Sequence, residues 1–222
     1  MRNACLTLGV VLLAGSVWTG RGMVHAQASP AHMHMGHVMT SFRDTPDQRG
    51  LLPTAVAEAK VAAQHAGLAA RAPDNLDAMK THAGHVLNAV DPTAEANGPG
   101  LGYGVKKAAS GVVAHIGLAA KADGASDNVK LHATHVSASA TNVVERSDQI
   151  VALVARIRAA GSAADAAPLV KELAALADQL TAGVDANGDG RIGWQAAEGG
   201  LQQAQQHMEL MQKGEGGLLR QP

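Results

Sequence analysis

Apolar positions recur at helical spacing through most of the chain. Val61, His65 and Leu68 follow an i, i+4, i+7 pattern, and Val112, His115 and Leu118 repeat it. Met79, His82 and Val86 share a helical face, as do Val129, His132 and Val136. Leu169, Leu173, Leu176 and Leu180 make a further stripe, and Leu201, Ala204, Met208 and Met211 make another. Punctuation sets the boundaries. The first helix is predicted from near Pro53 to about Ala70, and the second from after Pro73-Asp74 to Asp91-Pro92. The linker PTAEANGPGLG follows, then a third helix from about Tyr103 to Ala122 and a fourth from Ser126 to about Ala160. From Ser29 to about Arg49 the chain is polar without helical periodicity, which predicts a mobile arm.

The first two helices are repeated by the next two. Between residues 65–90 and 115–140, 12 of 26 positions are identical. Such repetition means one supersecondary unit used twice, each copy covering the other's apolar face. The expectation is an all-α fold: a four-helix bundle of two repeated hairpins over 51–160, then a C-terminal hairpin over 161–222.

Composition adds a compartment. Arg2, an apolar run from Ala4 to about Trp18, and small residues at Ala26 and Ala28 predict a leader over 1–28, cleaved after Ala28. The expected location is the periplasm or the outside of the cell, with no stable membrane insertion after leader removal. Cys5, the only cysteine, leaves with the leader, so the mature chain has no thiolate ligand or thiol nucleophile. Without Arg2 and Arg21 the mature chain carries 16 basic against 19 acidic residues, which gives no basic footprint for nucleic acid.

The repeat carries its chemistry in histidine. His65, His82 and His85 return as His115, His132 and His135. All six fall on apolar faces, His65 and His115 within the apolar stripe itself, which predicts that they point into the bundle interior and not toward water. Leaving them there without partners would cost about 1–3 kcal/mol each, a threat to a domain stable by about 5–15 kcal/mol. Imidazole suits zinc, copper, iron and nickel. Three nitrogens per hairpin match a three-coordinate shell with an open position. Two facing shells would be similar, in ligand count, to type-3 copper proteins. Ferritin-like sites need Glu plus Glu-x-x-His, and the second helix has no glutamate. Axial histidines in a helical bundle also admit non-covalent b-type haem. Asp77 and Asp127 match as well, each five residues before a histidine, as do Lys80 and Lys130. The carboxylates read as favourable charges in a first helical turn.

Two more segments carry donors. The arm, read as flexible over 29–50, holds His32, Met33, His34, Met35, His37 and Met39, a mixture of imidazole and soft thioether. Asp185, Asn187 and Asp189 place oxygens at alternate positions, with Gly190 for the turn and Ile192 after it. This segment resembles the EF-hand calcium loop, which implies calcium held by Asp185, Asn187, Asp189 and the Arg191 position. Ala196 stands where that loop has a glutamate, and Glu198, two residues beyond, is the candidate calcium ligand in its place. His207, on the last helix, flanks an apolar stripe and is read as a partly exposed helix-face residue or an accessory ligand.

No nucleophile elbow, phosphate loop, dinucleotide fingerprint or H-E-x-x-H helix is present. The sequence therefore predicts an exported transition-metal-binding protein, copper or zinc before iron, for binding, storage or delivery. A haem protein, a dinuclear oxidative enzyme and a partner-binding bundle are the competing classes.

Overall fold

The computed structural model describes Met1 and residues 29–216; residues 2–28, which make up the rest of the predicted leader, and residues 217–222 lie outside the described residues. The fold is all-helical. The elements are α1 (Pro30–Met39), α2 (Leu51–Ala70), α3 (Leu76–Val90), α4 (Val105–Lys121), α5 (Asp127–Ala159), α6 (Ala163–Ala182) and α7 (Leu201–Gly214), with a 3₁₀ turn at Pro46–Gln48. Side-chain caps set several starts: Asn75 accepts from the Ala78 amide, Ser126 from Val129 and Ser162 from Asp165. Asp91-Pro92 ends α3 after 15 residues. No such breaker stands at the equivalent point of the repeat, and α5 runs on for 33.

One expectation fails at the N-terminus. The segment read as a mobile arm is helix α1. Ser29 caps it by accepting from the His32 amide, Pro30 occupies its first turn, and Ala31, Met35 and Val38 are buried. Its exit is tied down: the Gly50 amide donates to the Thr40 carbonyl, and Phe42 donates to the Gln48 and Arg49 carbonyls. A Cβ on Gly50 would lie 2.5 Å from the Met39 carbonyl carbon, so only glycine allows this close passage.

α2 packs on α3 and α4 on α5, as the repeat predicts; α2 also packs on α4, and α3 on α5. α6 lies against α2 and α5. The terminal helices lie outside this assembly, α1 on α4 and α7 on α5. Met79, Val86, Val129 and Val136 are buried as read, but on α2, and on α4 beyond Val112, the core stripe sits one position from that expected. Ala59, Ala62, Ala66 and Ala69 are the buried line of α2, while Val61 and Leu68 are only partly covered. On α4 the line is Val112, Ile116 and Ala119, and Leu118 is exposed. Small alanines let helix backbones approach closely and take the interface. The larger residues, and the histidines beside them, are left on its edge.

Buried polar groups fix the connections. Glu58 is fully buried and accepts from the amides of Leu101, Tyr103 and Gly104, which pins the start of α4. Arg146 of α5 donates to the carbonyls of Ala197, Glu198 and Gly199. Asn142 accepts from the Ala197 amide and donates to the Gln195 and Gly199 carbonyls. The loop before α7 is thereby bolted to α5.

Candidate metal centres

All six repeated histidines lie at the boundary of a buried stripe rather than inside it. His65 stands between exposed Gln64 and buried Ala66, His115 between Ala114 and Ile116, and His132 between Leu131 and Ala133. Each of the six is half-buried. That position brings a ring nitrogen to a helix–helix seam while leaving the rest of the ring near water.

Three clusters result, each of three imidazoles with ligand atoms within 4.8 Å of one another: His34, His37 and His115; His65, His82 and His85; and His132, His135 and His207. In the first, the Nδ1 of His115 lies 3.1 Å from that of His34 and 3.3 Å from that of His37. In the second, His65 Nδ1 lies 3.1 Å from His82 Nδ1 and 3.2 Å from His85 Nδ1. In the third, His207 Nδ1 lies 3.1 Å from His132 Nδ1 and 3.3 Å from His135 Nδ1.

The first hairpin thus assembles its three histidines as the repeat predicts. The second does not. His115 joins α1, and His132 with His135 joins α7. His34, His37 and His207 are therefore full members of these clusters; His207 is half-buried on its helix and brings its Nδ1 to those of His132 and His135. The sequence does carry a signal for them. His34-Met-Gly-His37-Val38 matches His82-Ala-Gly-His85-Val86 and His132-Ala-Thr-His135-Val136. His207-Met-Glu-Leu210 matches His65-Ala-Gly-Leu68 and His115-Ile-Gly-Leu118. The two kinds of segment alternate along the chain three times, not twice. Each cluster pairs one H-x-x-H-V helix, whose histidines three apart share a face, with one H-x-x-L helix.

The geometry resists a hydrogen-bond account. An imidazole Nδ1 carries either one proton or one lone pair. The central nitrogen of each cluster meets two others at bonding distance and can satisfy only one. A single ion takes three lone pairs at once. Four-coordinate zinc with Zn–N of about 2.0–2.1 Å has N···N edges of about 3.3–3.4 Å. The observed separations of 3.1–3.3 Å sit close to that edge.

Electrostatics keeps the lone pairs free. Burial, then the neighbouring His85 and His82, holds His65 below the ordinary histidine range. Burial, then His85 and Arg71, does so for His82. His37 is lowered by burial and then His34, His115 by burial and then His37 and His34, and His135 by burial and then His132. His207 is pushed down to about 4 by burial first and then by His135 and His132. Neutral imidazoles are the ligating form.

The remaining candidates have other partners. His32 Nε2 meets Glu215 Oε2 at 3.0 Å, and the other oxygen of Glu215 accepts from Ser126 and Asn128, a junction of α1, α5 and α7. Met35 is buried in the core, Met33 is exposed and Met39 lies partly covered against the core. Asp77 and Asp127 lie in first helical turns, Asp127 exposed beside Lys130 at 3.6 Å. In the acidic loop, Asp185 accepts from the amides of Gly188, Asp189 and Gly190. Asn187 accepts from Asp189, and Asp189 from Arg191. Buried Glu198 accepts from Gly193 at 2.9 Å. Asp185, Asp189 and Glu198 do not draw together as the histidines do.

Among the described helices none is long and apolar enough to cross a membrane. No protein family, curated protein or solved structure matches this chain.

Proposed function

We propose that this is an exported protein that holds one copper or zinc ion in each of three three-histidine sites, for binding, storage or delivery of the metal. One observation carries the reading. Three imidazole Nδ1 atoms converge to 3.1–3.3 Å along the edges given above, and they do so three times over in different parts of the chain. An all-nitrogen, neutral donor set suits zinc and copper and disfavours magnesium or calcium. The edge length supports a tetrahedral ion, zinc or Cu(I), with one position left for an outside ligand.

Haem fits the clusters less well. Two axial nitrogens on one iron stand on opposite faces of the ring, about 4 Å apart if each bond is about 2 Å. The pairs that meet at 3.1–3.3 Å are closer than that, and so cannot be the two axial ligands of one haem iron. A shared dinuclear enzyme site also loses support, because each cluster closes on its own three ligands. The positive charge of Arg2 and the apolar run after it support export.

The test is elemental analysis of the mature chain after loading with zinc or copper and gel filtration. Three ions per chain are expected. His65→Ala, His115→Ala and His207→Ala should each remove one, and His82→Ala with His132→Ala should leave one. Unchanged stoichiometry in these variants would overturn the reading.

A further inference from the structure

The mature chain is poor in aromatic rings. The whole sequence has one Phe, one Tyr and two Trp, and one of those, Trp18, lies in the predicted leader. Two of the remaining three lie on histidine clusters. Phe42 packs edge-on against His37 and His115, with ring centroids 5.5 and 5.0 Å away. Trp194 stacks on His135, 4.0 Å away and within 20° of parallel. Among the described residues, no Phe, Tyr or Trp ring packs on His65, His82 or His85, whose ring contacts are with one another.

Both rings are held in place. Phe42 sits in the 41–49 loop, with its amide bonded back to the Gln48 and Arg49 carbonyls. Trp194 immediately precedes the stretch of loop that Asn142 and Arg146 bolt to α5. The covered clusters also depend on terminal helices that arrive from far along the chain. The uncovered one is built within a single hairpin, from residues 17 and 20 apart.

Resting on the three-site reading, we propose that the sites differ in exchange: the His65–His82–His85 site trades its ion with external ligands, and the two aromatic-covered sites retain theirs. Metal leaves such a site when an incoming donor reaches the open coordination position. An apolar ring over the ligands excludes water and crowds that approach. Three neutral imidazoles leave the ion's full positive charge uncompensated, and Arg71 adds a further positive charge in the field of His82. The ligand class that suits the uncovered site is therefore anionic and chelating, a carboxylate- or thiolate-bearing metal carrier.

The experiment loads the full mature chain with zinc and follows release to the chromogenic chelator 4-(2-pyridylazo)resorcinol in stopped flow. We expect two phases, one third of the metal leaving at least tenfold faster than the rest. His65→Ala should abolish the fast phase and keep the slow one. Trp194→Ala should raise the fast fraction to two thirds; this variant removes no proposed ligand and guards against a folding defect in the first. Three ions leaving in one phase, or a fast phase that survives His65→Ala, would overturn the division while leaving the three sites standing. Failure to load three ions would overturn both.

Discussion

The hairpins α2–α3 and α4–α5 carry the same three histidines at the same spacing, yet they build different things. The first closes its own site. The second divides its set, giving His115 to α1 and His132 with His135 to α7. Local surroundings do not explain this: His65 and its match His115, like His82 and its match His132, each follow an exposed residue and precede a buried one. What differs is the cover. The outer surfaces of α4 and α5 receive the terminal helices, and each brings histidine to a rim that already has it. A repeated spacing fixes which ligands are available at a seam; the helix that docks there fixes which site forms.

Removing a docking helix gives the sharpest break. A chain lacking residues 29–49 should lose the His34–His37–His115 site entirely and keep the first hairpin's site, so bound zinc falls from three ions to two. Gly50→Ala does this more gently. Its added Cβ would stand 2.5 Å from the Met39 carbonyl carbon, which forces the α1–α2 junction apart. Weakened binding at one site, with the other two unchanged by calorimetric titration, is expected. Equal weakening at all three would mean that the hairpins are not independent.

The second break falls on α5. Arg146 donates to three loop carbonyls; Arg146→Ala removes these bonds and leaves the Ala197 carbonyl without a donor, while Gly199 keeps Asn142 and Glu198 keeps the Val184 amide. A loss of about 2–3 kcal/mol is expected from denaturant unfolding. The first hairpin has no part in that loop, so its zinc affinity should stay within twofold.

Much of this is legible in the chain. The helices α2 to α5 begin and end within a few residues of where apolar spacing, Pro53, Asp91-Pro92 and Ser126 put them, and α6 and α7 carry the two further apolar stripes. The C-terminal stripe Leu201, Ala204, Met208 and Met211 is buried as its spacing requires. α1 escapes a reading by periodicity because its buried residues, Ala31, Met35 and Val38, are few and lie among histidines that read as polar. The Ser29-Pro30 start and the third H-x-x-H-V segment are the signals that mark it. The α2 stripe falls one residue from its expected place because larger side chains do not mark its buried line; alanine does. Which histidines meet is not legible, since it depends on docking between segments about 70–80 residues apart.

Acid should separate the two regions less sharply but measurably. In an unfolded chain these imidazoles titrate near 6.5. In the fold His207 titrates at about 4, and His65, His82 and His135 are also lowered. Below the unfolded value the unfolded chain binds protons that the fold refuses. Stability of the metal-free protein is therefore full above about pH 6.5 and declines as pH falls toward 4. Urea midpoints at pH 7 and pH 4.5 would measure it. His207→Gln should reduce the difference more than His65→Gln does, because His207 is held lowest. Equal effects would place the acid sensitivity elsewhere.

The smallest effect concerns a position where the repeats differ by one oxygen. Ser139 occupies the place that Ala89 holds in the first hairpin, and both are fully buried. The Ser139 hydroxyl has no hydrogen-bond partner, and it lies 2.6 Å from where a Cβ on Gly199 would fall. A buried hydroxyl without a partner is a cost that alanine removes, at the loss of one small set of contacts. Ser139→Ala should therefore leave stability unchanged or raise it, by up to about 1 kcal/mol in denaturant unfolding. Zinc release from the Trp194-covered site should not change, because Asn142 and Arg146 still hold the loop. A destabilised Ser139→Ala would mean that the hydroxyl is bonded after all, and that this end of α5 differs from α3 by a specific contact rather than by what packs on it.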